Sequence, residues 1–193
     1  MLVNLLIVFL LYLILKMYFE RQNSEATWVV APIDGNKYLV RDLEDKEDAA
    51  NNIAKIRKKL NTVVAHLKNQ YPDEPKIKRL MANWRDNVLS EAPSDSEHTS
   101  YSINKGEKIF FCLRQRDLNN NLVDLNTVTF VALHELAHVM TKSVGHTAEF
   151  WDNFRFLLKH AIALNVYQYQ PFHQKPARYC GTMISDTPLK ITV

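Results

Sequence analysis

Residues 134–150 read "HELAHVMTKSVGHTAEF", with histidines at 134, 138 and 146 and glutamates at 135 and 149. On a helix, a spacing of four puts His134 and His138 on one face about one turn apart, so both imidazoles reach a single ion. Glu135 projects about 100° round the helix from His134, which lets it reach a water on that ion without taking a ligand position. Two ligands and a base are thereby supplied by spacing alone. A zinc ion with three protein ligands keeps a fourth position for water and lowers its pKa towards neutrality. Glu135 then takes the proton as the water attacks a carbonyl, and hands it to the leaving amine.

The third ligand is His146 or Glu149. His146 follows Gly145, a residue able to break a helix and turn the chain, and stands at the entrance of the next helix facing the first two histidines. Glu149 and Asp152 lie further into that helix, so His146 is the favoured ligand. A cluster of ionisable residues on an otherwise apolar helix is costly to bury without a metal or other partners, which also argues for the ion.

The elements that must hold these residues are legible as periodic runs. "TVTFVALHELAHVM" is apolar and unbroken by Gly or Pro, and predicts a buried helix that Asn126 or Thr127 is suited to cap. A second helix opens at His146–Thr147, with Phe150, Phe154, Leu157 and Leu158 in its stripe. Upstream, Ile53, Ile56, Leu60, Val63, Val64 and Leu67 keep helical spacing up to Pro72, and Ile77, Leu80, Met81, Trp84 and Val88 suggest another helix. "SEAPSDSEHTS" has the composition of a loop, and "YSINKGEKIFFCLR" reads as strand, turn and strand. The segment 108–114, "KIFFCLR", is either an edge strand able to hold an extended peptide or an internal strand. The expected fold class is α+β, a small mixed sheet beside the helix that carries the histidines.

"HELAHVMTKSVGHTAEFW" resembles the active-site stretch of the WLM and SprT-like zinc metallopeptidases, small zincins with a third histidine after H-E-x-x-H and an aromatic soon after it. Small versions of such domains occur in large DNA viruses. The resemblance implies zinc bound by His134, His138 and His146, Glu135 as general base, and a peptide or protein substrate. It spans about residues 44–185, with its sharp part at 128–154. By analogy with related zincins, Tyr179 is a candidate donor to the oxyanion and Met183 a candidate floor under the zinc, while His173 sits in a loop-like stretch. The interval from His138 to His146 exceeds the metzincin spacing, and no DNA-binding tail of the kind found in DNA-repair members is evident. Cleavage of DNA-crosslinked proteins is thus a secondary reading, as is a zinc-stabilised binding module without catalysis.

The 193 residues leave room for one core plus an extra segment. The opening "MLVNLLIVFLLYLILKMYF" has Asn4 and Lys16 as its strongly polar residues, and 18 residues at about 1.5 Å each reach roughly 27 Å. No Lys or Arg precedes the run and no small-x-small cleavage site follows it, so residues 1–22 are expected to be a retained transmembrane anchor rather than a signal peptide. Lys16 and Arg21 after the span predict a cytoplasmic domain. Residues 23–43 form a hairpin or linker, and 44–193 the catalytic domain.

A net charge of +3 with interleaved signs implies no strong field for nucleic acid. The basic "KIRKK" at 55–59 is balanced by "DLEDKED" before it and is accounted for by a solvated helix face. Cys112 and Cys180, 68 positions apart, match no zinc or redox motif and are expected to be free thiols.

Overall fold

The computed structural model describes residues 6, 7, 9–15 and 25–189. The long helix α1, Lys46–Gln70, runs through the centre of the domain. Its stripe of Ile53, Ile56, Leu60, Val63 and Leu67 is wholly buried, while Lys55 and Lys58 lie exposed on the opposite face. Burial of such a stripe at about 25 cal/mol per Å² is what fixes the helix against its neighbours. Arg57 is turned inward to pair with Asp86 at 2.7 Å, and Lys59 donates to the Val166 carbonyl. The basic run is thus partly consumed by the fold.

A hairpin of β1, Ala26–Val30, and β2, Lys37–Arg41, precedes α1. It packs through Ala31, Tyr38 and Val40. Helix α2, Pro75–Asn83, opens with proline at a position where the missing N–H costs nothing. Then come β3, Leu89–Glu91, β4, Ser100–Ile103, and β5, Lys108–Phe111. Their order is β3-β5-β4, with β3 parallel and β4 antiparallel to β5, so the sheet is mixed. Buried Arg114 donates to Glu91 at 2.9 Å and also pairs with Asp45. Glu91 in turn accepts from the Arg41 N–H at 2.7 Å, which ties β3 to β2.

Helix α3, Leu125–Met140, is buried on most sides, and α4, Ala148–Ala163, packs on it through Phe130 and Phe154, whose ring centroids are 5.1 Å apart. The chain ends its described part with the hairpin β6, Ala177–Tyr179, and β7, Thr182–Ile184.

Several expectations need correction. No helix among the described residues is long and apolar enough to cross a membrane, so the transmembrane helix in the expected fold class, and single-pass membrane localisation with it, is withdrawn. The remainder of the predicted anchor, residues 1–5, 8 and 16–22, lies outside the described residues.

The helix expected to reach Val88 stops at Asn83, because Trp84 adopts an extended backbone and its indole N–H turns to Asn61 Oδ1 at 2.9 Å. The segment at 108–114 is internal: β5 has a bonded neighbour on each side, and the edge beyond it is β4. Cys112 and Cys180 are not free thiols but a disulfide, with Cα atoms 6.3 Å apart, joining the end of β5 to the β6–β7 turn.

Candidate metal centre

Asp124, not Asn126 or Thr127, caps α3; its carboxylate accepts from the Thr127 N–H at 2.9 Å and the Thr127 hydroxyl at 3.1 Å. The helix then runs without interruption through His134 and His138, both half-buried, and ends at Met140. Gly145, at φ +81°, takes the left-handed conformation that lets the connection double back. Thr147 caps α4 by accepting from the Phe150 N–H, and His146 stands just ahead of that cap.

The result is one cluster. His134 Nε2 lies 3.2 Å from His138 Nε2 and 3.1 Å from His146 Nε2. The three ligand nitrogens fall within 4.8 Å of one another. Imidazoles bound tetrahedrally at about 2.0–2.1 Å from an ion have nitrogens about 3.3–3.4 Å apart, so the observed spacing suits a shared metal ion. A chain of hydrogen bonds suits it less well, because His134 Nε2 faces two neighbours and a neutral ring carries one N–H.

Phe150 is the platform beneath all three rings. It is fully buried, stacks on His138 at 4.3 Å, and meets His134 at 4.8 Å and His146 at 4.7 Å edge-on. This enclosure favours neutral imidazole, the form that binds metals. Burial is the main reason that His134 is pushed down to about 3 and His138 to about 4, with the neighbouring histidines adding to it.

Glu149, the other candidate ligand, is occupied elsewhere. Its carboxylate accepts from the N–H groups of Lys142 and Ser143, both at 3.1 Å, and from the Ser143 hydroxyl at 2.8 Å. Those bonds hold its pKa down at about 2. From the other side, Lys105 in the β4–β5 turn donates to the carbonyls of Thr141 at 3.1 Å and Ser143 at 2.5 Å. The connection that carries His146 is therefore clamped at its donors by Glu149 and at its acceptors by Lys105. Neither role is visible in the spacing of the residues; for Glu149 the only hint is its place in the first turn of α4.

Glu135 is 4% exposed and lies within reach of Ser102 on β4. Burial pushes its pKa up to about 7, and a hydrogen bond from Ser102 pulls the other way. Ser102 is a partner that sequence reasoning missed, since nothing in "YSIN" marks it. Tyr179 shares a 2.6 Å hydrogen bond with Ser100 Oγ and is 2% exposed, near enough to Glu135 for the two to interact electrostatically. Met183 is exposed on β7 and lines a separate cavity with Arg116 and Arg178, not the floor of the histidine cluster. His173 is exposed in the loop after α4.

Residues 36–190 match the family model described as the WLM domain. The chain belongs to the WLM domain family. That membership supports a protease-like function. An uncharacterized protein of Acanthamoeba polyphaga mimivirus is 35% identical over 175 residues, covering 89% of this chain and 88% of that protein. An uncharacterized protein of Invertebrate iridescent virus 6 is 38% identical over 88 residues, which is 45% of this chain and 49% of that protein. A crystal structure of a Wss1 mutant from Saccharomyces cerevisiae shares the fold, with TM-score 0.50 and 22% identity over 65% of this chain and 88% of that one.

Proposed function

We propose that this WLM-family chain is a zinc-dependent peptidase in which His134, His138 and His146 hold the ion and Glu135 is the general base. The observation that carries the reading is the convergence of three imidazole nitrogens on an aromatic platform, His134 Nε2 lying 3.2 Å from His138 and 3.1 Å from His146, with a buried carboxylate on the next residue of the same helix. Zinc bound there would supply Lewis-acid polarisation of the scissile carbonyl and a lowered pKa for water.

The chain's own residues do the rest. Glu135 accepts a proton from the attacking water at its carboxylate and delivers it to the departing amine, a task suited to a group titrating near neutrality. Strand β4, which carries Ser102, is an edge of the three-stranded sheet, so an extended substrate can add to it by main-chain hydrogen bonds. Tyr179, expected as an oxyanion donor, is better suited to bracing Ser100 on that strand, because its hydroxyl is buried and already bonded.

The test is cleavage of a diverse peptide library by the full chain and by Glu135→Gln. The wild type is expected to cut, and the variant to lose about 10²–10⁴-fold in rate while retaining its zinc and its fold. A variant that cuts as fast as wild type removes Glu135 from the mechanism. A zinc-loaded wild type that cuts nothing favours a zinc-stabilised binding module instead.

A further inference from the structure

A cavity of about 410 Å³ opens beside the histidine cluster, and His134 itself forms part of its wall. Its apolar sides are Phe130, Trp151 and Phe154, brought together from α3 and α4. Phe154 is the centre of this group, 5.1 Å from Phe130 and 6.4 Å from Trp151 between ring centroids, and 5.3 Å from the His134 ring. The remaining wall is the segment 186–188 after β7. It is fastened in place, since Arg155 Nε donates to the Pro188 carbonyl at 3.3 Å and the Tyr169 hydroxyl to the Leu189 carbonyl at 3.3 Å.

The charges at the mouth decide what fits. The Arg155 guanidinium pairs with Asp152 at 2.6 Å and donates to Pro188, so an entering carboxylate would compete with a partner already in place. Asp186 adds a carboxylate to the lining, and its side chain accepts the Thr187 N–H at 2.8 Å. An acidic side chain entering here would meet that carboxylate and lose its hydration against three aromatic rings. An apolar side chain gains from the same rings in proportion to the area it buries. The volume is near the small end of ligand pockets, about 300–1,000 Å³, which suits one large side chain rather than an extended ligand.

Resting on the peptidase reading above, we infer that this cavity is the specificity pocket of the site and takes an aromatic or long aliphatic side chain of the substrate residue beside the scissile bond. Sharing His134 between pocket and cluster makes the two parts of one substrate path: a peptide carbonyl at the cluster has its neighbouring side chain at the mouth of the cavity.

Binding and cleavage are read separately. In the ¹⁵N-labelled, zinc-loaded full chain carrying Glu135→Gln, acetyl-Gly-Phe-Gly-amide is expected to shift the Trp151 indole N–H resonance. At equal concentration acetyl-Gly-Asp-Gly-amide leaves it in place, and the Trp28 indole, 65% exposed on β1, responds to neither peptide. In wild type, kcat/KM for a Phe-containing peptide should exceed that of its Ala counterpart by at least about tenfold, and Trp151→Ala should cut that ratio to below about threefold.

An indole that ignores the Phe peptide, or moves equally with the Asp peptide, overturns the pocket. Glu135-dependent cleavage with no apolar preference overturns it too, and leaves the peptidase reading standing. A Phe-specific shift of Trp151 without Glu135-dependent cleavage sinks the peptidase reading and with it the pocket's place beside a scissile bond, leaving an apolar side-chain site alone.

Discussion

Two groups of histidines pack against α4, one around Phe150 and one around Phe156, and the contrast between them shows what separates a metal centre from an aromatic cluster. His134 and His138 have ring centroids 4.9 Å apart, and His66 on α1 and His160 on α4 are almost as close at 5.3 Å. Burial depresses His160 as it does His134 and His138. In the first group a helical repeat of four and a doubled-back connection aim three nitrogens at one point. In the second, His160 packs edge-on against Tyr71 and Phe156, and Lys76 places its ammonium 3.7 Å over the Phe156 ring. A cation beside His160 disfavours a second cation there. Proximity of rings is common to both groups; convergence of nitrogens belongs to one.

The largest difference is expected from the aromatic supports. Phe150→Ala removes a fully buried ring from beneath three imidazoles and should cost about 3–5 kcal/mol in urea unfolding, with zinc lost in parallel. Phe156→Ala, at the half-buried second group, should cost about 1 kcal/mol and leave zinc binding unchanged. Equal losses would remove the distinction between platform and packing.

Next in size is the clamp on the connection that carries His146. Glu149→Gln should weaken zinc binding by about tenfold in competition with a chromogenic chelator, the usual scale for a group that orients a ligand. The same variant has a pH signature. The backbone N–H groups of Lys142 and Ser143 hold Glu149 at about 2 in the fold, below its ordinary 4.5. Its carboxylate thus stabilises the fold in full above about 4.5, and that contribution is lost as pH falls towards about 2. Acid titration followed by circular dichroism should show a shallower decline for Glu149→Gln across that window. Unchanged zinc affinity would mean that His146 finds its place without the clamp.

The smallest effect is expected at the second group itself. His66→Gln should change stability by no more than about 0.5 kcal/mol and leave zinc content at the wild-type level. A loss of zinc there would show that the two groups are coupled through α4.

How much of this was legible in the sequence follows from the range of each interaction. His134, Glu135 and His138 share one uninterrupted helix, so their relation needs only the helical repeat, and Gly145 marks the reversal before His146. Glu149 and Lys105 could not be assigned that way, because their partners are main-chain groups of a loop whose course depends on tertiary packing. The three-residue strand β3 was hidden in a polar stretch; it exists because Glu91 finds Arg114 and the Arg41 N–H across the fold. The same non-locality hid the disulfide, whose cysteines are joined only once β5 and β6 are in place. Residues 2–19 misled in the opposite direction: an apolar run has the composition of a membrane span, but composition does not establish a helix of spanning length.

The central claim is that the first group is a zinc site built by His134, His138 and His146. Native mass spectrometry of the full chain, purified without chelator and exposed to equimolar zinc, tests it most directly. The account predicts one zinc per folded chain in wild type and in His66→Gln, and none in the double variant His134→Ala/His138→Ala. A folded wild type that carries no zinc, or a double variant that still carries one, would contradict it.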